Sequence, residues 1–396
     1  MVKVLIFIIF LIPILTGCWS AKEISDLAIA TGMGIDKNDK GEFIISIQLI
    51  NPGEVAAQKG SGRAEVTTYK TKAQSIDEAL HKLSMELPRQ IYLSHIQIIV
   101  IGEEVARAGI KDTLDFLSRD NEFRSDFYLL IAKNGRAEDI LYVMTPMVKV
   151  PSISIYTQLE MSEKIWAPSV GTNLDELITD LISEGKDPII TGVIVSGNKK
   201  EGESKSGMEI IKPPAVVKLK DIAVFKGDKL VGWLDLEESK GVNYINNNVK
   251  TTVGHIKCPT GGKIITEVSN AKSSIKSTID KYGKPKINIE FSTEENIGEV
   301  QCKIDLSKPE TIKKLEKIAE HRIVTLAEKT IKKAKKYNSD IFGFGEVVHR
   351  DHPKEWKKLK KNWKKIFPEL EVEITGKVNI RRIGTITNSV FDKIKE

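Results

Sequence analysis

Ile91-Tyr92-Leu93-Ser94-His95-Ile96-Gln97-Ile98-Ile99-Val100-Ile101 is a near-continuous apolar run broken only by Ser94, His95 and Gln97, and its neighbours decide the fold. On its N-terminal side Val66 to Thr71 reads as a short strand. Ser75-Ile76-Asp77-Glu78 is then a capping box that opens a helix whose Ile76, Leu80, Leu83 and Leu87 share one face. On its C-terminal side Glu103 to Ser118 reads as a helix, Phe127 to Ala132 as a strand, and Ala137 to Met144 as a short helix stopped before Pro146. Strands separated by helices of this length favour a sheet covered by helices, because parallel neighbours need a crossover of a dozen or more residues.

Upstream, Leu27, Ile29, Met33 and Ile35 alternate with small residues, and Phe43, Ile45, Ile47 and Leu49 alternate again after the turn-rich stretch Asp36 to Gly41. Period-two alternation on both sides of a turn predicts a hairpin, which must join a larger sheet to be stable. Asn51 to Glu65 reads as an exposed loop. Downstream, two helical stretches in Ile153 to Glu184 flank a loop at Trp166 to Gly171, and Pro188 to Ser196 returns to strand.

Gly197 to Lys212, rich in Lys, Glu, Ser and Gly and followed by Pro213-Pro214, buries nothing and reads as a linker over 201–214. The reading is therefore an N-terminal α/β domain over 18–200 and an α+β domain over 215–396, in both of which mixed sheets are covered by helices. If residues 66–150 form an inserted subdomain, the domains number three. The second half opens with a hairpin, Val216 to Lys226 and Lys229 to Leu234, and a short helix around Glu237 to Tyr244. Strands follow near 251–258, 263–269, 273–279, 286–291 and 299–304, in an antiparallel pattern. A long helix over 309–337, a basic helix from Pro353 to Ile366 and a strand from Leu370 to Ile380 complete it.

Composition is that of a folded protein: 41% hydrophobic and 29% charged residues leave no large fraction to be disordered, and the net charge of +6 is modest. At the start, Lys3 precedes an apolar run from Val4 to Leu15, too short to span a bilayer, which ends in Leu15-Thr16-Gly17-Cys18. That is a bacterial lipobox: residues 1–17 are expected to be cleaved, and Cys18 to carry a diacylglyceryl group as the first residue of the mature chain. Everything after Cys18 then lies outside the cytoplasmic membrane. Cys258 and Cys302 remain; they could pair in an oxidising compartment, and two buried free thiols fit the sequence equally.

The search for chemistry finds no enzyme. Gly32-Met33-Gly34 lacks the third glycine and following helix of a dinucleotide loop, Gly261-Gly262-Lys263 lacks phosphate-loop spacing, and no Gly-x-Ser-x-Gly elbow occurs. His349 and His352 have no third ligand at useful spacing, so a solvated pair is the preferred reading over a metal site. No cofactor is expected. In Lys354 to Ile366, Trp356, Leu359, Trp363 and Ile366 share one face and seven lysines the other. The pattern fits a helix on anionic lipid or on phosphates; the preferred reading is a domain helix with its Trp face in the core.

These residues resemble the Ger(x)C lipoproteins, the C subunits of nutrient germinant receptors in endospore-forming bacteria. The resemblance is carried by Gly17-Cys18-Trp19, Thr31-Gly32-Met33-Gly34-Ile35-Asp36, Ile98 to Gly109 leading to Leu114 through Asp120, and Pro168 to Thr172. In the second half it is carried by Ala223 to Leu234 and by Asp340-Ile341-Phe342-Gly343-Phe344-Gly345 through Pro353, Trp356, Trp363, Phe367 and Pro368. Ser20 departs from the acidic residue common there. The resemblance implies a non-enzymatic subunit on the outer face of the spore's inner membrane, working with integral-membrane partner subunits of the A and B types. The rival is a solute-binding lipoprotein of a transporter, which needs two similar lobes and a cleft; a lipoprotein hydrolase comes third.

Overall fold

The computed structural model describes residues 23–56, 62–258 and 261–382, so the lipobox and Cys18 lie outside the described residues. The expected hairpin is present: β1 (Leu27–Lys37) and β2 (Phe43–Ile50) are antiparallel, with Met33 opposite Ile47 and Ile35 opposite Ile45. Beside β2 lies β3 (Val66–Ala73), followed by α1 (Ile76–Leu83), where the Glu78 amide donates to Ser75 Oγ at 3.1 Å. Its Glu78 carboxylate reaches back one residue further than expected, to the Gln74 amide.

The apolar run over 91–101 divides. β4 (Gln90–Tyr92) pairs with the start of β1 and β5 (Ile98–Gly102) with its second half, joined by a turn at Leu93–His95. At the break Ser94 Oγ donates to the Glu122 carbonyl and the Gln97 backbone N–H to the Thr31 carbonyl. The single helix expected over 103–118 is likewise two, α2 (Glu103–Ala108) and α3 (Lys111–Arg119), because Gly109 between them takes φ +130°, which an L side chain rarely adopts. Then come β6 (Tyr128–Ala132), α4 (Ala137–Tyr142), α5 (Pro151–Ile165), β7 (Thr172–Asn173), α6 (Leu174–Ile182) and β8 (Ile189–Gly197).

The first sheet does not end at the expected linker. β9 (Ala215–Lys226) returns antiparallel along β8, and β10 (Lys229–Leu234) adds to β9, giving the order β10-β9-β8-β6-β5-β1-β2-β3 with β4 on β1 and β7 on β6. The polar segment around 201–214 is thus an excursion between two neighbouring strands. Its composition is indeed that of a surface segment, but the apolar alternation of 215–234 belongs to the sheet before it. Nor do residues 66–150 form a sheet of their own, since β5 pairs directly with β1 and β3 with β2. Because this sheet is covered on both sides, Ile99, Ile101, Leu129 and Ile131 meet α1 to α3 on one face while Ile98, Val100 and Leu130 meet α4 and α5 on the other.

After α7 (Leu236–Ile245) the second sheet has the order β11-β12-β13-β14, built from β11 (Thr252–Lys257), β12 (Lys263–Ile279), β13 (Pro285–Val300) and β14 (Glu371–Arg382). Four expected strands are therefore two long ones. Ser269-Asn270-Ala271-Lys272 looks like a turn but lies on a largely exposed stretch of strand with a register shift between Val268 and Asn270. β14 runs parallel to β13, reached by way of α8 (Pro309–Tyr337), α9 (Phe344–Asp351), α10 (Pro353–Leu359) and α11 (Trp363–Ile366). At this edge the β14 amide of Ile380 donates to Glu316 of α8 at 2.9 Å, so the helix blunts an otherwise open strand.

Of the two readings for the cysteines, the structure has the pair: Cys258 and Cys302 are disulfide-bonded with Cα atoms 6.5 Å apart, closing the far ends of β11 and β13 across 44 residues. Cross-linking a loop of this length restricts the unfolded chain. Cys302→Ser is expected to lower the unfolding free energy by about 2–4 kcal/mol, and denaturant unfolding with and without reductant checks this. The reductant should lower wild-type stability to that of the variant and leave the variant unchanged.

Candidate functional site

Three of the blocks that carry the family resemblance, Pro168 to Thr172, Ala223 to Leu234 and Asp340 to Gly345 with Trp356 and Trp363, meet at one place, the joint between the two sheets. At its centre is Asp340, in the short connection after α8, whose carboxylate is buried and accepts three N–H donors: Phe344 N at 3.0 Å, Gly345 N at 2.9 Å and Trp363 Nε1 at 2.9 Å. The first two are free amides of the opening turn of α9, so the side chain caps that helix while the third donor ties α11 to it. Opposite stands Asp187, just before β8. Its Oδ2 accepts the Asp340 amide at 3.0 Å, its own amide donates to the Asp340 carbonyl at 2.8 Å, and its Oδ1 accepts the Gly227 amide from the β9–β10 turn at 2.9 Å.

Glycines let the backbones meet. A Cβ on Gly345 would sit 2.5 Å from the Gly185 Cα and 2.8 Å from the Trp356 ring, and one on Gly232 would sit 2.2 Å from the Tyr337 ring. Tyr337 Oη in turn donates to the Trp233 carbonyl at 3.2 Å, and Trp233 Nε1 donates to Glu103 Oε1 at 3.2 Å, which links α8 through β10 to α2. The loop Pro168 to Thr172 docks from the other side. Asn243 of α7 donates from Nδ2 to the carbonyls of Ala167 at 2.8 Å and Ser169 at 3.1 Å.

The motif Thr31 to Asp36 does similar work inside the first sheet. Cβ atoms on Gly32 and Gly34 would meet Ser152, Leu141 and Ala137, so the glycines seat α4 and α5 against β1. Asp36 accepts the Ala137 and Glu138 amides at 2.9 and 3.1 Å, and a Cβ on Gly102 would lie 2.2 Å from its Oδ1. Burial raises its carboxyl above the usual carboxylate range against the pull of these two amides. A cleft of about 640 Å³ lies beside Asp36 at the strand ends, lined also by Glu103, Arg107 and Arg136; Arg107 is paired with Glu103 and Arg136 with Glu138.

The two tryptophans of the basic helix are core residues, each 3% exposed and in edge-to-face contact at 5.2 Å. The expected single helix is broken at Lys360–Asn362, which turns Trp363 toward Asp340. His349, an exposed residue, stacks on Trp356, and His352 Nε2 lies 3.0 Å from the Ser277 carbonyl. Among the described residues no group of three His, Cys, Asp or Glu side chains could hold a metal, and no helix is long and apolar enough to cross a membrane. The sequence reading missed the Asp187–Asp340 contact altogether; the only signal for it was the block Asp340 to Gly345.

The fold is shared with a known structure, and the sequence with several known proteins. The chain matches the model of the spore germination protein N-terminal domain over residues 20–195 and that of the spore germination B3/GerAC-like C-terminal domain over 220–384. It is 31% identical to spore germination protein KC of Bacillus subtilis (strain 168), across 100% of this chain and 99% of that one. To spore germination protein B3 of the same organism it is 26% identical, over 95% and 96%. The crystal structure of the GerBC protein superposes with a TM-score of 0.54 at 21% identity, covering 88% of this chain and 96% of that one, a likeness of fold. The chain belongs to the Ger(x)C family of spore germination proteins.

Burial pushes the Asp340 carboxyl up to about 7, overriding three N–H donors and helped by the charge of Asp187. In the unfolded chain the same carboxyl titrates near 3.8, so the folded state holds the proton more tightly. The stability this contributes is fully present below about pH 4 and is lost as pH rises through about 7. Wild type should therefore lose stability relative to Asp340→Asn across that window, with the difference constant above about pH 8; a difference that is flat from acid to neutral pH in urea titrations refutes it. Trp363→Phe keeps the ring but removes one donor, and is expected to cost about 1–3 kcal/mol in the same assay.

Proposed function

We propose that this chain is the membrane-anchored, non-enzymatic subunit of a spore nutrient germinant receptor. It is held by a diacylglyceryl group on Cys18 at the outer face of the spore's inner membrane and docks on integral-membrane partner subunits of the A and B types. The observation that carries the reading is the end-to-end match to relatives named as spore germination proteins, together with the lipobox Leu15 to Cys18. One myristoyl chain anchors only marginally, at ~0.8 kcal/mol per buried methylene, whereas a diacylglyceryl group supplies two chains.

The joint supports this function physically. The family motifs are spent on caps, close backbone approaches and the buried Asp340 carboxylate, the requirements of a rigid docking body rather than of a reaction centre. The Cys258–Cys302 disulfide suits a compartment outside the cytoplasm. A solute-binding lipoprotein would need two similar lobes, and here the first sheet is mostly parallel at its centre while the second is a four-stranded sheet packed on one long helix.

Cys18→Ala is expected to abolish incorporation of labelled lipid, leave Val4 to Leu15 attached as a weaker anchor, and reduce nutrient-triggered germination. Persistent labelling refutes the lipobox; lost labelling with normal membrane retention and germination makes the anchor dispensable. Crosslinking in intact spore membranes should recover integral-membrane partners, and recovery of this chain alone counts against the docking role.

A further inference from the structure

The end of the molecule at which β1 begins carries a second, unassigned feature. The parallel strands β1, β5, β6 and β8 all start at this end, so Leu27, where the chain enters the sheet, and Asp187, where β8 is about to begin, share it. The C-terminal helices sit there too. Gly345 of α9 packs on Gly185, and Lys360 pairs with Glu184 at 2.8 Å.

With both tryptophans turned inward, α10, α11 and the turn between them present Lys354, Lys357, Lys358, Lys361, Lys364 and Lys365 to solvent. Among the described residues none of these six has an ion-pair partner, although acidic groups are plentiful elsewhere on the surface and pair with other lysines. Two large apolar side chains stand exposed nearby. Ile182, at the end of α6 two residues before Glu184, is 76% exposed, and so is Tyr282 at the tip of the β12–β13 hairpin, beside Lys281 and Lys284. That tip and Lys365 line one cleft.

We propose that this basic end lies flat on an anionic phospholipid surface, with the lysines on lipid phosphates and Ile182 and Tyr282 at the headgroup level. Unpaired lysines beside isolated apolar side chains are the pattern of a peripheral membrane face, each lysine adding to the attraction. The placement of the chain start agrees with it. On the reading that Cys18 is lipidated, eight residues separate the anchor from Leu27, and a fully extended tether of that length reaches only ~30 Å, so the end nearest the bilayer is the one on which the lysines sit.

The test is amine-reactive labelling of the full-length protein, reconstituted in vesicles of phosphatidylcholine alone or with phosphatidylglycerol added, and read lysine by lysine. The six lysines should label at least about fivefold more slowly in the anionic vesicles, and the difference should collapse at high salt. Lys257 and Lys263, exposed at the opposite end of β12, serve as the unchanged reference. In a variant carrying K357E, K358E, K364E and K365E, protection of Lys354 and Lys361 should disappear. Equal labelling in both vesicles overturns the proposal, as does protection that appears only when partner subunits are present. Lipid attachment at Cys18 is read separately from the mass of the N-terminal peptide; its absence with the six lysines still protected sinks the anchor and leaves this surface standing.

Discussion

A carboxylate with no access to water must be fully hydrogen-bonded to stay in a fold, and Asp340 meets that requirement by drawing three N–H groups from two helices onto itself. Those donors are available only if α9 starts directly after Asp340, if the helix after Pro353 breaks so that Trp363 can turn inward, and if Gly345 lets the backbone of the first half come close. Asp187 then adds the β8 entry and the β9–β10 turn to the same point. Two sheets of different design meet at this point.

Around that point the hydrophobic core is continuous. Ile189, Ile222 and Val224 of the first sheet belong to the same buried cluster as Leu315, Ile323, Phe344 and Trp363 of the second half. The polar contacts set the register of this interface, and apolar burial supplies most of the driving force, at roughly 25 cal/mol per Å². Opening the joint would break the contacts of Asp187 with the Asp340 backbone.

Much of the local structure was legible in the residues. The β1–β2 hairpin follows from period-two alternation around a turn, α1 from its Ser75 cap, and α8 from an apolar stripe that runs the length of Pro309–Tyr337. The Trp356–Trp363 face was legible as core from its spacing. Where the reading failed, one local signal carried two meanings. Ser269-Asn270-Ala271-Lys272 has turn composition but lies on a largely exposed stretch of strand, and the polar stretch 201–214 looks like a boundary although the strands on either side of it are neighbours.

What the sequence determined by itself was the type of most elements and the family, because each of these rests on residues close together along the chain. What only the tertiary structure decided was pairing: β9 and β10 with the first sheet, Cys258 with Cys302, and Asp187 with Asp340. Such contacts join positions far apart in the chain, 153 residues between Asp187 and Asp340. Periodicity reports which face of an element is apolar but not which other face will cover it, and that choice is made by the packing of the whole chain.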